Sequence, residues 1–151
     1  MREWEEKPTP LKTFLKFKTT RFKNLNSPKR VKTTDPVEQV NDLIIDSIQD
    51  IKGKNIIKLD LRQLDDAPTD FFIICEGDSN TQVSAIAGNI KKRLKQEANQ
   101  IASHIEGERN ALWVLMDYFN VVVHVFYKET RKYYELEDLW SDAIVTEYET
   151  L

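Results

Sequence analysis

From Asp35 onward, apolar residues fall into short runs with readable periods. Val37, Val40, Ile44, Ile48 and Ile51 recur at helical spacing. Asp35 and Pro36 form a helix start, because the carboxylate can accept backbone N–H groups and proline fits the first helical position. Glu38 stands where a capping-box partner belongs. Gly53 is the predicted stop, through the left-handed conformation that glycine adopts without steric cost. The period then changes. Ile57, Leu59 and Leu61 alternate with Lys58 and Asp60, which predicts a half-buried strand over Asn55–Leu61. Gln63–Thr69 is polar, contains Pro68, and reads as a loop. Phe71–Cys75 is short and continuously apolar, the pattern of a central strand buried on both faces.

Ser79 or Asp78 caps a second predicted helix, with Val83, Ile86, Ala87, Ile90 and Leu94 on its inner face. Lys91, Lys92, Arg93 and Lys95 crowd its outer side and C-terminal half, where cations favour the helix dipole. A third strand is expected over Ala102–Ile105, followed by a polar loop at Glu106–Ala111. Leu112–Tyr118 and Val121–Tyr127 read as an antiparallel hairpin turning at Phe119-Asn120. Tyr134–Trp140 is predicted as a short helix, and Ile144–Tyr148 as an edge strand or a trailing end. The sum is an α/β chain with a mixed sheet of about five strands and flanking helices. Its predicted organisation is a basic arm at residues 1–34, a domain at 35–143 and a C-terminal tail at 144–151.

Charge adds a division that hydropathy does not show. Residues 1–35 carry ten basic and four acidic groups, a net +6, while the other 116 residues carry 12 and 21, a net −9. An acidic body attracts basic proteins and repels nucleic acid; a basic arm does the reverse. The arm holds Pro8, Pro10 and Pro28 and no clean apolar period, so it reads as disordered or loosely attached. Phe14, Phe17 and Phe22 could anchor a short helix on another surface, against the plainer reading of a solvated basic arm. No apolar run reaches 18 residues, so no membrane span is expected. The first thirty residues lack a secretory apolar core, and Cys75 is the only cysteine, which rules out an intrachain disulfide. A reducing cytoplasm is the expected compartment.

Candidate chemistry is sparse. His104 and His124 are the only histidines, too few ligands for zinc, and Cys75 sits in a core strand as a small hydrophobe. Glu76-Gly77-Asp78-Ser79 could hold a phosphate at a helix start, but it has one glycine and no P-loop lysine, and a capped turn explains it. Asp60, Asp70 and Asp117 lie on separate elements, so the close carboxylate pair of a nucleotidyltransferase is missing. No cofactor or metal is expected. The unusual feature is aromatic. If Leu112, Val114 and Met116 face the core, then Trp113, Leu115 and Asp117 face outward beside Val122, His124 and Phe126. That row is a candidate protein-binding platform, unless a helix covers it.

Taken together, these segments resemble the ribosomal silencing factor (Iojap-like) family. The matching pieces are Asp50–Ile56, Thr69–Cys75, Ser79–Val83 with Ala85-Ile86-Ala87, Glu106-Gly107, Trp113–Tyr118 and Val121–Phe126. Arg131 and Tyr133–Trp140 complete the ordered set, which spans about residues 37 to 142. After Tyr118 the family has Gly-Asp, where this chain has Phe119-Asn120. The resemblance implies a nucleotidyltransferase-like topology without catalytic carboxylates, and no enzyme activity. It also implies a partner, ribosomal large-subunit protein fourteen at a bridge to the small subunit, whose occupation blocks subunit joining. Family pattern and facing together nominate Trp113, Leu115, His124, Tyr133 and Tyr134 as contacts, with Asp70, Asp117 and Glu135 as charge partners. The arm lies outside the resemblance and has the charge to touch ribosomal RNA. A monomer or weak homodimer is expected. The rival readings are an RNA-binding module and a nucleotidyltransferase relative with residual nucleotide binding.

Overall fold

The computed structural model describes residues 35–151. The expectations placed on residues 1–34 therefore lie outside the described residues. The chain runs α1 (Pro36–Asp50), β1 (Lys54–Asp60), β2 (Phe71–Gly77), α2 (Asn80–Ala98), β3 (His104–Glu106), β4 (Trp113–Asp117), β5 (Val121–Tyr127) and α3 (Lys128–Tyr134). A 3-10 turn at Leu136–Trp140 and β6 (Ile144–Tyr148) close it. The sheet has six strands in the order β3-β4-β5-β2-β1-β6. Only β2 and β5 pair in parallel; β1–β2, β1–β6, β3–β4 and β4–β5 are antiparallel. The sheet is thus mixed, and β2 lies inside it, buried at every position but Glu76. The C-terminal segment is an ordered edge strand paired along β1, so the sixth strand extends the five expected.

Local chemistry explains the elements. Asp35 Oδ1 accepts from Val37 N–H at 2.9 Å and caps α1. Glu38 does not close a capping box; its Oε2 instead accepts from Lys58 Nζ at 2.7 Å and ties the helix to β1. The end of α1 also differs from expectation. Lys52, at φ 60°, takes the left-handed position, and Gly53 does not. Gly53 is needed for space, since a Cβ there would collide with Ile48 Cγ2. Ser79 Oγ accepts from Gln82 N–H at 3.1 Å and caps α2. Gln82 then reaches back, its Nε2 donating to the Ile51 and Lys52 carbonyls at 3.1 Å each. Arg93 joins the two helices through Asp46 at 2.7 Å and Asp50 at 2.9 Å.

Both faces of the sheet are cores. On one, α1 and α2 cover Phe71, Ile73, Cys75, Val114, Met116, Val123 and Val125. On the other, Leu59, Leu61, Phe72, Ile74, Trp113, Leu115, Val122 and Phe126 pack under Leu136, Tyr134, Trp140 and Ala67. Each fully buried large side chain contributes about 1.5–3 kcal/mol relative to exposure. The second core decides the question that β4 left open, because its alternate row is covered. Leu112, expected inside, precedes the strand and is exposed.

Candidate functional site

The cover of the second face begins where β5 ends. Lys128–Tyr134 is a short helix, a segment to which the hydrophobic period assigned no element. It stops at Glu135, left-handed at φ 48°, whose N–H donates to the Arg131 carbonyl at 3.0 Å. The chain reverses there, drops Leu136 into the core, and continues as the 3-10 turn. The single helix expected over Tyr134–Trp140 is therefore two pieces broken at Glu135.

Arg131 pins this hairpin. Its Nη1 donates to the Asn55 carbonyl at 2.6 Å and to Glu76 Oε1 at 3.0 Å, and its Nε donates to Glu137 Oε1 at 2.6 Å. The strand ends of β1 and β2 are thereby fastened to both arms of the hairpin. A short helix without a buried apolar stripe needs such an anchor. Nothing in the sequence period signals it, and only Arg131's place in the family pattern did. An open cleft of about 440 Å³ lies beside the pin, lined by Glu76, Glu135, Glu137 and Asp138 with Arg131 and Lys132.

Tyr133 and Tyr134 meet edge to face, with ring centroids 5.3 Å apart. Tyr133 is 53% exposed, whereas Tyr134 is half-buried. Beneath Tyr134 lies Trp113, 4.9 Å away between centroids, and Trp113 in turn packs on Phe126 at 4.7 Å. The indole Nε1–H of Trp113 donates to His124 Nδ1 at 3.1 Å. Burial alone pushes the His124 pKa down to about 3, so the imidazole is neutral at physiological pH. Leu139, on the 3-10 turn, is a further exposed apolar side chain.

The nominated residues therefore divide. Trp113, Leu115, Asp117 and His124 are buried in the chain itself. They are not surface anchors in this structure; the hairpin and the second core cover the row expected to face outward. Tyr133 and Glu135 are exposed, and Tyr134 joins them. Asp70 and Asp117 stand at the opposite end of the sheet, across a seven-residue strand, roughly 20 Å from the Tyr127 end. Asp117 Oδ1 accepts from Phe119 N–H at 2.8 Å and serves the β4–β5 turn. Among the described residues, no group of three or more His, Cys, Asp or Glu side chains is arranged to hold a metal ion. Asp60 is held in a salt bridge with Arg62 at 2.7 Å, and Cys75 is buried, its thiol pushed up to about 12 by desolvation. No helix among the described residues is long and apolar enough to cross a membrane.

Fold and surface define a mixed-sheet α/β protein whose exposed feature is a pinned aromatic hairpin bordered by carboxylates. Residues 34–151 match the family described as "Ribosomal silencing factor during starvation" (RsfS), and the chain belongs to that family. It is 39% identical over 112 residues to the ribosomal silencing factor RsfS of Halalkalibacterium halodurans, covering 74% of this chain and 94% of that protein. It is 35% identical over 75 residues to the chloroplastic protein Iojap of Zea mays, covering 50% of this chain and 32% of that protein. A crystal structure of a Chromobacterium violaceum protein superposes with a TM-score of 0.66 at 39% identity, covering 70% of this chain and 86% of that one. A Bacillus halodurans structure gives 0.63 at 37% identity, covering 74% and 99%. The family's name places the chain among factors that regulate translation at the ribosome.

Proposed function

We propose that the protein binds the large ribosomal subunit through ribosomal large-subunit protein fourteen and thereby blocks joining of the small subunit. The mechanism needs no bond chemistry. A bound body occupies volume at an intersubunit bridge, and the small subunit cannot dock into that volume. The observation that supports the reading best is the hairpin: a half-exposed Tyr133 on a segment fastened by Arg131 and bordered by Glu135, Glu137 and Asp138. A rigid aromatic anchor ringed by charge is how small interfaces gain affinity, and a net-acidic surround suits a basic partner. Tyr133, Tyr134 and Glu135 make the contact; Trp113 and His124 form the floor that holds Tyr134. The basic arm adds a contact with ribosomal RNA once the body is seated.

Sedimentation of mixed ribosomal subunits with and without the protein tests this. The expected result is separate subunits, with the protein migrating on the large one. Normal assembly while the protein stays attached to one subunit rejects steric exclusion.

A further inference from the structure

The sheet end remote from Tyr133 carries a feature that the ribosome reading does not use. Phe119 sits at φ 74°, a left-handed conformation that costs a bulky residue about 1–2 kcal/mol. Glycine would serve this turn without that cost. Hydrogen bonds from both strands and from Thr69 hold the strained turn. Phe119 N–H donates to Asp117 Oδ1 at 2.8 Å, Thr69 Oγ1 donates to the Phe119 carbonyl at 2.8 Å, and Asn120 N–H donates to the Tyr118 carbonyl at 3.0 Å. The ring so presented is 52% exposed, so core packing does not account for it. Strain kept at an exposed aromatic points to a use at the surface.

Beside this turn lies a cavity of about 120 Å³, lined by Pro36, Val37, Val40, Tyr118, Val121 and neighbouring amide side chains. The Tyr118 hydroxyl is buried and has no hydrogen-bond partner among the described residues. Ile101, strongly exposed, follows Gln100 on the cavity's rim.

The occupant is indicated by chain connection and by charge. The N-terminal arm joins the body at Asp35-Pro36, and Pro36 itself lines the cavity. Within the arm, residues 11–22 carry Leu11, Phe14, Leu15, Phe17 and Phe22 among Lys12, Lys16, Lys18 and Arg21. Fourteen residues lead from Phe22 to Pro36, and an extended chain of that length reaches about 45 Å. The arm is net positive and the body net negative. At this end of the body stand Asp35 and Asp70, both partly exposed, while the nearby Arg62 is engaged by Asp60. RNA would be repelled by those carboxylates; a tethered basic-aromatic segment is attracted, and tethering makes its local concentration about millimolar. We propose that in the ribosome-free protein residues 11–22 dock on Phe119 and the adjoining groove of the same chain. The proposal is independent of which ribosomal component the hairpin binds.

Limited trypsin digestion of the full chain tests it, following cleavage after the basic residues between Lys12 and Lys23. In the free wild-type protein these bonds should be cut several-fold more slowly than in Phe119→Gly, a change that relieves turn strain and so leaves the body folded. Ile101→Ser, at an exposed site, should speed cleavage in the same direction. Raising the salt concentration should accelerate cleavage of the wild type toward the variants' rate. Equal rates in all three proteins overturn the proposal, as does protection that survives both substitutions. Protection that arises only after large ribosomal subunits are added also overturns it, by assigning the arm to the ribosome.

Discussion

The indole N–H of Trp113 donates to Nδ1 of His124 over 3.1 Å, and this bond fixes where the imidazole proton resides. An indole can only donate, so Nδ1 must accept and Nε2 must carry the hydrogen. The pair forms the floor under Tyr134, because Trp113 packs against both Tyr134 and Phe126. Trp113→Phe keeps an aromatic ring but leaves Nδ1 buried without a donor. It should destabilise the protein by about 1–3 kcal/mol in urea denaturation. Adding His124→Phe removes the stranded acceptor, so the double variant should lose less than the two single losses combined, by about 1 kcal/mol. Strict additivity would mean that the bond contributes nothing.

The same histidine sets an acid limit. Its folded pKa lies near 3, below the ordinary value of 6.5, because burial penalises the charged form. Across the interval between those values the unfolded chain binds more protons, so acid favours unfolding. Stability from the neutral imidazole is complete above about pH 6.5 and falls toward pH 3, by at most about 1.4 kcal/mol per unit. His124→Gln should flatten the profile of unfolding free energy between pH 6 and 4. An unchanged slope in that variant would assign the acid sensitivity to other groups.

Much of the fold could be read from the chain because its elements carry their own periods. The inner face predicted for α2, from Val83 to Leu94, is the face found buried. Phe71–Cys75 is central, as its unbroken apolar run implied. The site was less legible for a physical reason. Alternation along β4 separates two rows of side chains but cannot say whether a distant segment covers one of them. Trp113, Leu115 and His124 were assigned outward on that basis, and a hairpin arriving later in the chain buries them. That hairpin was itself hidden, because Lys128–Tyr134 buries no residue and rests on the ion pairs of Arg131. Tyr133 and Glu135 came from the family pattern, and the geometry puts both at the surface.

Tyr133 is the residue on which the docking surface can be tested most directly. It is exposed, so Tyr133→Ala should leave the unfolding midpoint nearly unchanged. If the ring is an anchor, affinity for isolated large subunits should fall by about 2 kcal/mol, roughly thirtyfold. Asp70→Asn, at the far end of the sheet, should bind like the wild type. Normal binding by Tyr133→Ala would remove the hairpin tip from the interface, and a loss in Asp70→Asn would move the interface to the other end.

Arg131 gives a different signature. Its side chain is one-tenth exposed and its guanidinium faces Glu76 and Glu137, also largely shielded. Arg131→Gln leaves both carboxylates without their cation and should cost up to about 3 kcal/mol of stability. Glu137→Gln breaks one of the two contacts and should cost less. Hydrogen exchange should report the loss first in Lys128–Trp140, with the β2–β5 amides slowed as before. Uniform loss of protection across the sheet would show that Arg131 supports the whole fold and not the hairpin alone.

Two glycines should respond to the same substitution with opposite signs. Gly88 lies in the interior of α2, exposed, with nothing within 4 Å of where a Cβ would stand. Alanine there removes backbone freedom from the unfolded chain at no cost in space, so Gly88→Ala should stabilise by about 0.5–1 kcal/mol. Gly107 has φ +85° and lies against the backbone of Trp113, where a Cβ would run into the carbonyl oxygen. A backbone atom cannot swing aside as a side chain can, and the left-handed conformation adds its own penalty. Gly107→Ala should therefore cost about 2–4 kcal/mol and disturb the start of β4, which carries the tryptophan beneath Tyr134. Thermal denaturation of the two variants side by side reads both signs. A neutral Gly107→Ala would mean that the turn can reorganise without moving Trp113, and the floor of the proposed docking surface would then be less rigid than its contacts imply.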